Sequence, residues 1–146
     1  MKERSIPFEK AHKSRTYLIL EKKSSSEEGI AILAYISLAL ASFRIQKDVS
    51  NSMRKRLNGI FMNDDVPCFL VGQLGKNDRY RCKITGSELI DYAMNFLEKG
   101  HDLVGGRFVR VDCREDERLI RFYEENGFMR VQMNDESGLL QMVRFF

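Results

Sequence analysis

The chain has 146 residues, a net charge of +3, 43% apolar and 31% charged residues, the size and balance of one folded domain spanning 1–146 rather than a disordered or fibrous chain. No apolar run is long enough to cross a bilayer and Lys2 and Arg4 precede no signal-peptide core, so no membrane partner is expected. Three cysteines in no metal-like spacing and two isolated histidines, His12 and His101, argue against a metal site and for reduced thiols in a cytoplasm. Residues 1–66 carry 12 basic and 8 acidic groups, residues 67–146 carry 12 and 13. The first half therefore permits a polyanionic partner without requiring one.

In chain order, a strand is expected near Thr16–Lys22, a hairpin loop at Ser24–Gly29, and a longer strand near Ile30–Leu40 whose alanine-rich end leaves a helix as the alternative. Ser50 to Met62 reads as a helix with Met53, Leu57, Ile60 and Phe61 on one stripe. Arg54, Lys55 and Arg56 lie off that stripe, either as an RNA-phosphate contact or as a solvated face. Cys68–Leu74 reads as a strand, and a helix runs from about Gly86 to Lys99 with Gly100 as its stop. Gly105-Gly106 leads into a strand ending at Cys113. Glu115-Asp116-Glu117 puts three carboxylates on the first turn of another helix, which Asn126-Gly127 ends. Phe128–Met133 and Leu139–Phe146 are expected to form the last hairpin.

The segment Arg81-Cys82-Lys83-Ile84-Thr85-Gly86-Ser87 lies between a strand and a helix start. The first N–H groups of a helix lack partners within it and carry the positive end of its dipole, so such a junction suits an anion. Thr85-Gly86-Ser87-Glu88 also fits a capping box, in which Thr85 and Glu88 satisfy some of those donors themselves. Both can hold together, because the helix has four free donors.

Order and spacing resemble the GNAT superfamily of acetyl-CoA-dependent N-acetyltransferases. The family's pyrophosphate loop reads Arg/Gln-x-x-Gly-x-Gly/Ala; Arg81 and Gly86 match, and Ile84 replaces the central glycine. The later motif Phe/Leu-Tyr-x-x-x-Gly-Phe is matched fully by Phe122-Tyr123-Glu124-Glu125-Asn126-Gly127-Phe128. A narrower likeness is to the toxin branch that acetylates aminoacyl-tRNA. It rests on Arg15-Thr16-Tyr17-Leu18, Tyr35-Ile36-Ser37-Leu38, Arg54-Lys55-Arg56-Leu57, Val66-Pro67 and Gln73-Leu74-Gly75.

The resemblance implies an α/β GNAT fold: a mixed, mostly antiparallel, splayed sheet with helices on both faces. It implies acetyl-CoA as donor, no metal, and acetyl transfer to a primary amine. The backbone of Cys82, Lys83, Ile84, Thr85, Gly86 and Ser87, with charge from Arg81 or Lys83, would cradle the pyrophosphate. The main chain of Leu74 and Lys76 would pair with the pantetheine arm. Asp116 stands where relatives place a cofactor-contacting asparagine, with a plain helix-terminal carboxylate as the alternative. Tyr123 would act as general acid toward the departing sulfur, with a core aromatic as the alternative; its ordinary pKa near 10 keeps it protonated. Gln73 stands on the strand where many relatives carry a glutamate base, which favours an acceptor amine already largely neutral, as in aminoacyl-tRNA. Expected partners are acetyl-CoA, tRNA, an antitoxin protein and a second copy of the chain. Acetylation of protein lysine or a small amine, and a non-catalytic interaction module, are the competing functions. The family's N-terminal layer is either reduced to Ser5–Lys13 or precedes the start of this sequence.

Overall fold

β-Branched and aromatic residues favour the pleated conformation, and they set the first hairpin. In the computed structural model, which describes residues 7–22, 29–60 and 63–146, β1 (Arg15–Lys22) pairs antiparallel with β2 (Ile30–Arg44). Leu18 faces Tyr35 and Leu20 faces Ile32, with a register shift between Ile19 and Leu20. β2 is one strand of 15 residues, so the helix alternative for its alanine-rich half fails and the strand outruns Leu40. The loop expected at Ser24–Gly29 lies, apart from Gly29, outside the described residues. Residues 7–10 are helical, and the Glu9 carboxylate accepts from the Thr16 backbone N–H at 2.7 Å.

α1 (Asn51–Asn58) starts at Ser50, whose hydroxyl accepts from the Met53 N–H at 3.3 Å. It stops well before Met62, because Gly59 takes φ +70°. Of the expected stripe, Leu57 is fully buried, while Ile60 is past the helix and 89% exposed.

β3 (Asp65–Lys76) leads through a 3-10 turn (Asp78–Tyr80) to α2 (Gly86–Val104). α2 continues through Gly100, which was expected to stop it. A Cβ at Gly100 would lie 3.3 Å from the Phe69 ring, so this glycine serves close packing. The stop is Gly105, at φ +76°, whose N–H reaches the His101 carbonyl at 2.7 Å.

β4 (Phe108–Cys113), α3 (Glu117–Glu125), β5 (Met129–Met133) and β6 (Leu140–Phe145) complete the chain. The strand order is β1-β2-β3-β4-β6-β5. β4 with β6 and β5 with β6 are antiparallel, and β3 with β4 is parallel, so the sheet is mixed and mostly antiparallel. The parallel ladder pairs Phe69 with Val109 and Leu70 with Arg110, and β3 runs on to Lys76 beyond it.

The chain divides into two compact units: Met1–Ala39 with Val71–Phe96, and Leu40–Leu70 with Leu97–Phe146. In the first, Ala34, Ile36, Leu89, Ile90 and Ala93 are buried, and Tyr17 stacks on Phe96 with ring centroids 4.2 Å apart. In the second, Phe43, Ile45, Val49, Leu57, Val66, Cys68, Phe108 and Val143 form a core cluster, with Phe43 edge-on to Phe108 at 5.5 Å. Burying each larger side chain contributes roughly 1.5–3 kcal/mol.

Candidate functional site

The Arg81–Ser87 loop belongs to the first unit. Two of its backbone donors are used: the Lys83 N–H bonds the Tyr80 carbonyl at 3.0 Å, and the Thr85 N–H bonds the Glu88 carboxylate at 2.7 Å. Among the described residues, the N–H groups of Cys82, Ile84, Gly86 and Ser87 have no protein acceptor. The capping box forms in full. The Thr85 hydroxyl donates to Glu88 at 2.8 Å and accepts from its N–H at 3.1 Å. These bonds from Thr85 hold the Glu88 carboxyl below the usual range.

Ile84 does not distort the loop. Positive φ outside glycine occurs, among the described residues, at His12 alone, so residue 84 needs no glycine conformation. Its side chain is 4% exposed and anchors the turn by burial.

The loop's cations are internally paired. Arg81 meets Asp78 at 2.9 Å, with both side chains largely exposed, and Lys83 pairs with Glu21. Exposed pairs of this kind are worth little and exchange readily for other anions. Lys76 points its ammonium at the Ile84 carbonyl, 3.1 Å, and the Arg81 carbonyl, 3.5 Å. Leu74 is half-buried on β3. Beside it, a Cβ on Gly75 would lie 2.7 Å from the Tyr35 hydroxyl and overlap that ring. The Lys76 contacts and the Tyr35–Gly75 approach have no signal in the sequence, because each depends on a folded turn or a cross-strand neighbour.

Tyr123 lies on α3, in the second unit. Its ring is half-buried, 5.6 Å from the Phe128 ring and 5.2 Å from Phe122. Burial, then the neighbouring Cys113, pushes its phenol up to about 12. It therefore stays protonated, and its hydroxyl has no hydrogen-bond partner among the described residues. Asp116 is the N-cap of α3, accepting from the Leu119 N–H at 3.0 Å. An open hollow along the outer face of α3 is lined by Glu117, Arg118, Arg121, Phe122 and Glu125. Cys68 and Cys113 are buried and Cys82 is exposed. Burial raises the Cys68 thiol to about 11, which leaves it protonated and unreactive. No group of three or more metal-ligating side chains occurs among the described residues, and no described helix is long and apolar enough to cross a membrane.

The basic triplet is not a uniform solvated face. Arg54 donates to the Val49 carbonyl at 3.2 Å, to the Gln46 carbonyl, and to Asp64 at 3.0 Å. Arg56 lies over the Phe145 ring at 4.5 Å. Lys55 alone of the three is exposed and unpaired among the described residues. A second feature the sequence did not signal is a buried polar network. Gln132 bonds the Arg44 carbonyl and the Gln141 amide, both at 2.7 Å, and Gln141 reaches Asp112 at 3.3 Å. Arg110 donates to the Ser42 carbonyl at 2.9 Å and to Asp112 at 3.2 Å. Its Nε is 3.0 Å from Asp112 yet makes no hydrogen bond among the described residues, so charge rather than alignment holds that contact.

This architecture is the GNAT fold, similar to that of the solved structures of KacT and AtaT. A mutant of KacT with a tyrosine replaced by phenylalanine superposes with a TM-score of 0.71, at 19% identity over 96% of this chain and 76% of that one. AtaT complexed with acetyl-methionyl-tRNAfMet gives 0.68 at 19% identity over 97% and 75%, and AtaTR bound with acetyl-CoA gives 0.69 at 18% identity over 97% and 77%. No family model matches the sequence, and no curated protein matches it by sequence.

Proposed function

We propose that the protein is an N-acetyltransferase that moves an acetyl group from acetyl-CoA to the amino group of aminoacyl-tRNA, as the toxin of a toxin–antitoxin pair. The observation that carries this reading is the loop whose N–H groups at Cys82, Ile84, Gly86 and Ser87 have no acceptor among the described residues. Four backbone donors beside a helix N-terminus call for a multiply charged anion, and a pyrophosphate supplies one. Acetyl-CoA, when bound, supplies an acetyl group activated as a thioester. Cys82 to Ser87 would hold its pyrophosphate through the main chain, with Arg81 and Lys83 exchanging their carboxylate partners for phosphate oxygens. Leu74 and Lys76 would offer the backbone of β3 to the pantetheine arm. Asp116, already capping α3, would reach a cofactor donor only with its remaining lone pairs.

Tyr123 would donate a hydrogen bond to the sulfur as it gains charge. With the phenol near 12 and thiols ordinarily near about 8.5, outright proton transfer from Tyr123 to sulfur would run uphill. Its contribution is therefore a fixed dipole more than a delivered proton. The acceptor nitrogen forms the new C–N bond, the C–S bond breaks with its electrons going to sulfur, and the amine proton leaves to solvent. No base on β3 is required if the amine arrives neutral. Among proteins of this fold, AtaT is known complexed with acetyl-methionyl-tRNAfMet, AtaTR with acetyl-CoA, and a tyrosine-to-phenylalanine mutant of the AtaT toxin with the C-terminus of the antitoxin AtaR and acetyl-CoA, which supports the same donor, acceptor class and kind of partner here.

The test is calorimetric titration with acetyl-CoA, followed by transfer of labelled acetyl to aminoacyl-tRNA, to free amines and to lysine peptides. Binding with preferential labelling of aminoacyl-tRNA is expected. Absence of coenzyme binding would reduce the protein to a non-catalytic module. Preference for peptides or small amines would move the acceptor assignment.

A further inference from the structure

Lys76 ends β3, and its ammonium faces the carbonyls of Arg81 and Ile84. In a trans peptide the carbonyl of one residue and the N–H of the next point in opposite directions. Drawing the Arg81 carbonyl toward Lys76 therefore turns the Cys82 N–H away from it, and drawing in the Ile84 carbonyl does the same for the Thr85 N–H. The bonding pattern fits both turns. The Cys82 N–H has no protein acceptor among the described residues, and the Thr85 N–H already meets an anion, the Glu88 carboxylate, at 2.7 Å. No glycine at position 84 is needed to turn these planes, because Ile84 fixes one side of the turn by burial and Lys76 fixes the other.

We infer that the Lys76 side chain is the positioning residue of the phosphate loop: it clamps the Arg81 and Ile84 carbonyls so that the Cys82 N–H turns toward the coenzyme pyrophosphate and the Thr85 N–H turns into the capping box with Glu88. The inference rests on the coenzyme reading above, and it goes beyond it in giving the side chain, not only the main chain, of Lys76 a task. A cation behind the carbonyls also deepens the positive potential of the loop without occupying the ligand's place.

The test uses Lys76→Met, which keeps length and removes the donors, and Lys76→Arg, which keeps donors and charge. In the free protein, Lys76→Met should shift the amide resonances of Cys82 and Thr85 and speed hydrogen exchange at Thr85, while Lys76→Arg should leave them near wild type. Calorimetry should show Lys76→Met binding coenzyme A about tenfold more weakly, or about 1.4 kcal/mol, with pantetheine, which lacks the pyrophosphate, bound as before. Unchanged loop resonances, or equal losses for coenzyme A and pantetheine, would overturn the clamp. A wild type that binds no coenzyme A would instead overturn the functional reading, and the resonances of the free protein would still decide the clamp.

Discussion

The loop at Cys82–Ser87 and the network at Arg110, Asp112, Gln132 and Gln141 treat polar groups in opposite ways. Among the described residues, the loop leaves four backbone donors without a protein acceptor. The network, with Gln132 at 6% and Gln141 at 2% exposure, answers nearly every polar atom it buries. The contrast follows from where each can meet water. An unpaired polar group costs about 1–3 kcal/mol when buried, and little where solvent or a ligand can reach it. The loop's chain is largely exposed, so its open donors are stable as they stand and available. The network is buried on the strands that carry the core of its unit, so any gap in it is felt as lost stability. Open donors point to binding, and closed ones to architecture.

The hardest blow to that contrast would be a network that does not matter. Gln141→Leu strips a partner from Gln132 and from Asp112, and should lower unfolding free energy by about 3 kcal/mol without altering coenzyme affinity. Chemical denaturation checks this; a loss below about 1 kcal/mol would mean the network is ornamental. Tyr123→Phe keeps the ring packed against Phe128 and removes the hydroxyl, so turnover should fall about a hundredfold, with affinity for acetyl-CoA little changed. Retained turnover would return Tyr123 to a packing role. Since its folded-state pKa of about 12 exceeds the unfolded value of about 10, its contribution to stability is complete below pH 10 and fades as pH rises toward 12. Turnover should accordingly show no alkaline limb from this phenol below about pH 11.

Gly86→Asp puts a carboxylate among the open donors. Affinity for acetyl-CoA should drop at least about tenfold, or 1.4 kcal/mol, in a protein whose circular dichroism is unchanged. An unaltered titration would remove the loop from the site. The smallest effect is expected at Lys55, the one member of the basic triplet without an internal partner among the described residues. Lys55→Ala should reduce the log–log salt slope of tRNA binding by somewhat under one, the value for a single phosphate contact. An identical slope would make Lys55 a bystander.

Local signals were legible in the sequence and distant ones were not. The start of α2 could be read from Thr85-Gly86-Ser87-Glu88, because a capping box closes within four residues. The mixed, mostly antiparallel sheet was expected from the resemblance carried by Arg81–Gly86 and Phe122–Phe128, not from the apolar runs, which mark strands but not their directions. The end of α2 was not, because the task of Gly100 is set by Phe69 on another element. Arg54 looked like surface charge until the chain brought Gln46, Val49 and Asp64 around it. The loop could be found by its motif, while Lys76 could not be given its clamp, since only the folded turn directs two carbonyls at one ammonium. The polar network was invisible for the same reason: its members are scattered from Arg44 to Gln141 and share no spacing.

Arg107 reaches back 51 residues to bond the Arg56 carbonyl at 3.1 and 3.3 Å, against Gly59 at the end of α1. Arg56 in turn lies on Phe145. Two turns of helix cannot persist alone in water, and both of these supports come from the last forty residues of the chain. α1 is therefore expected to be a late structure on the folding path, helical only after β4 and β6 are present, and to emerge from the ribosome long before it can hold its shape. Its amides should be among the first in their unit to exchange, and substitutions in it should speed unfolding more than they slow folding.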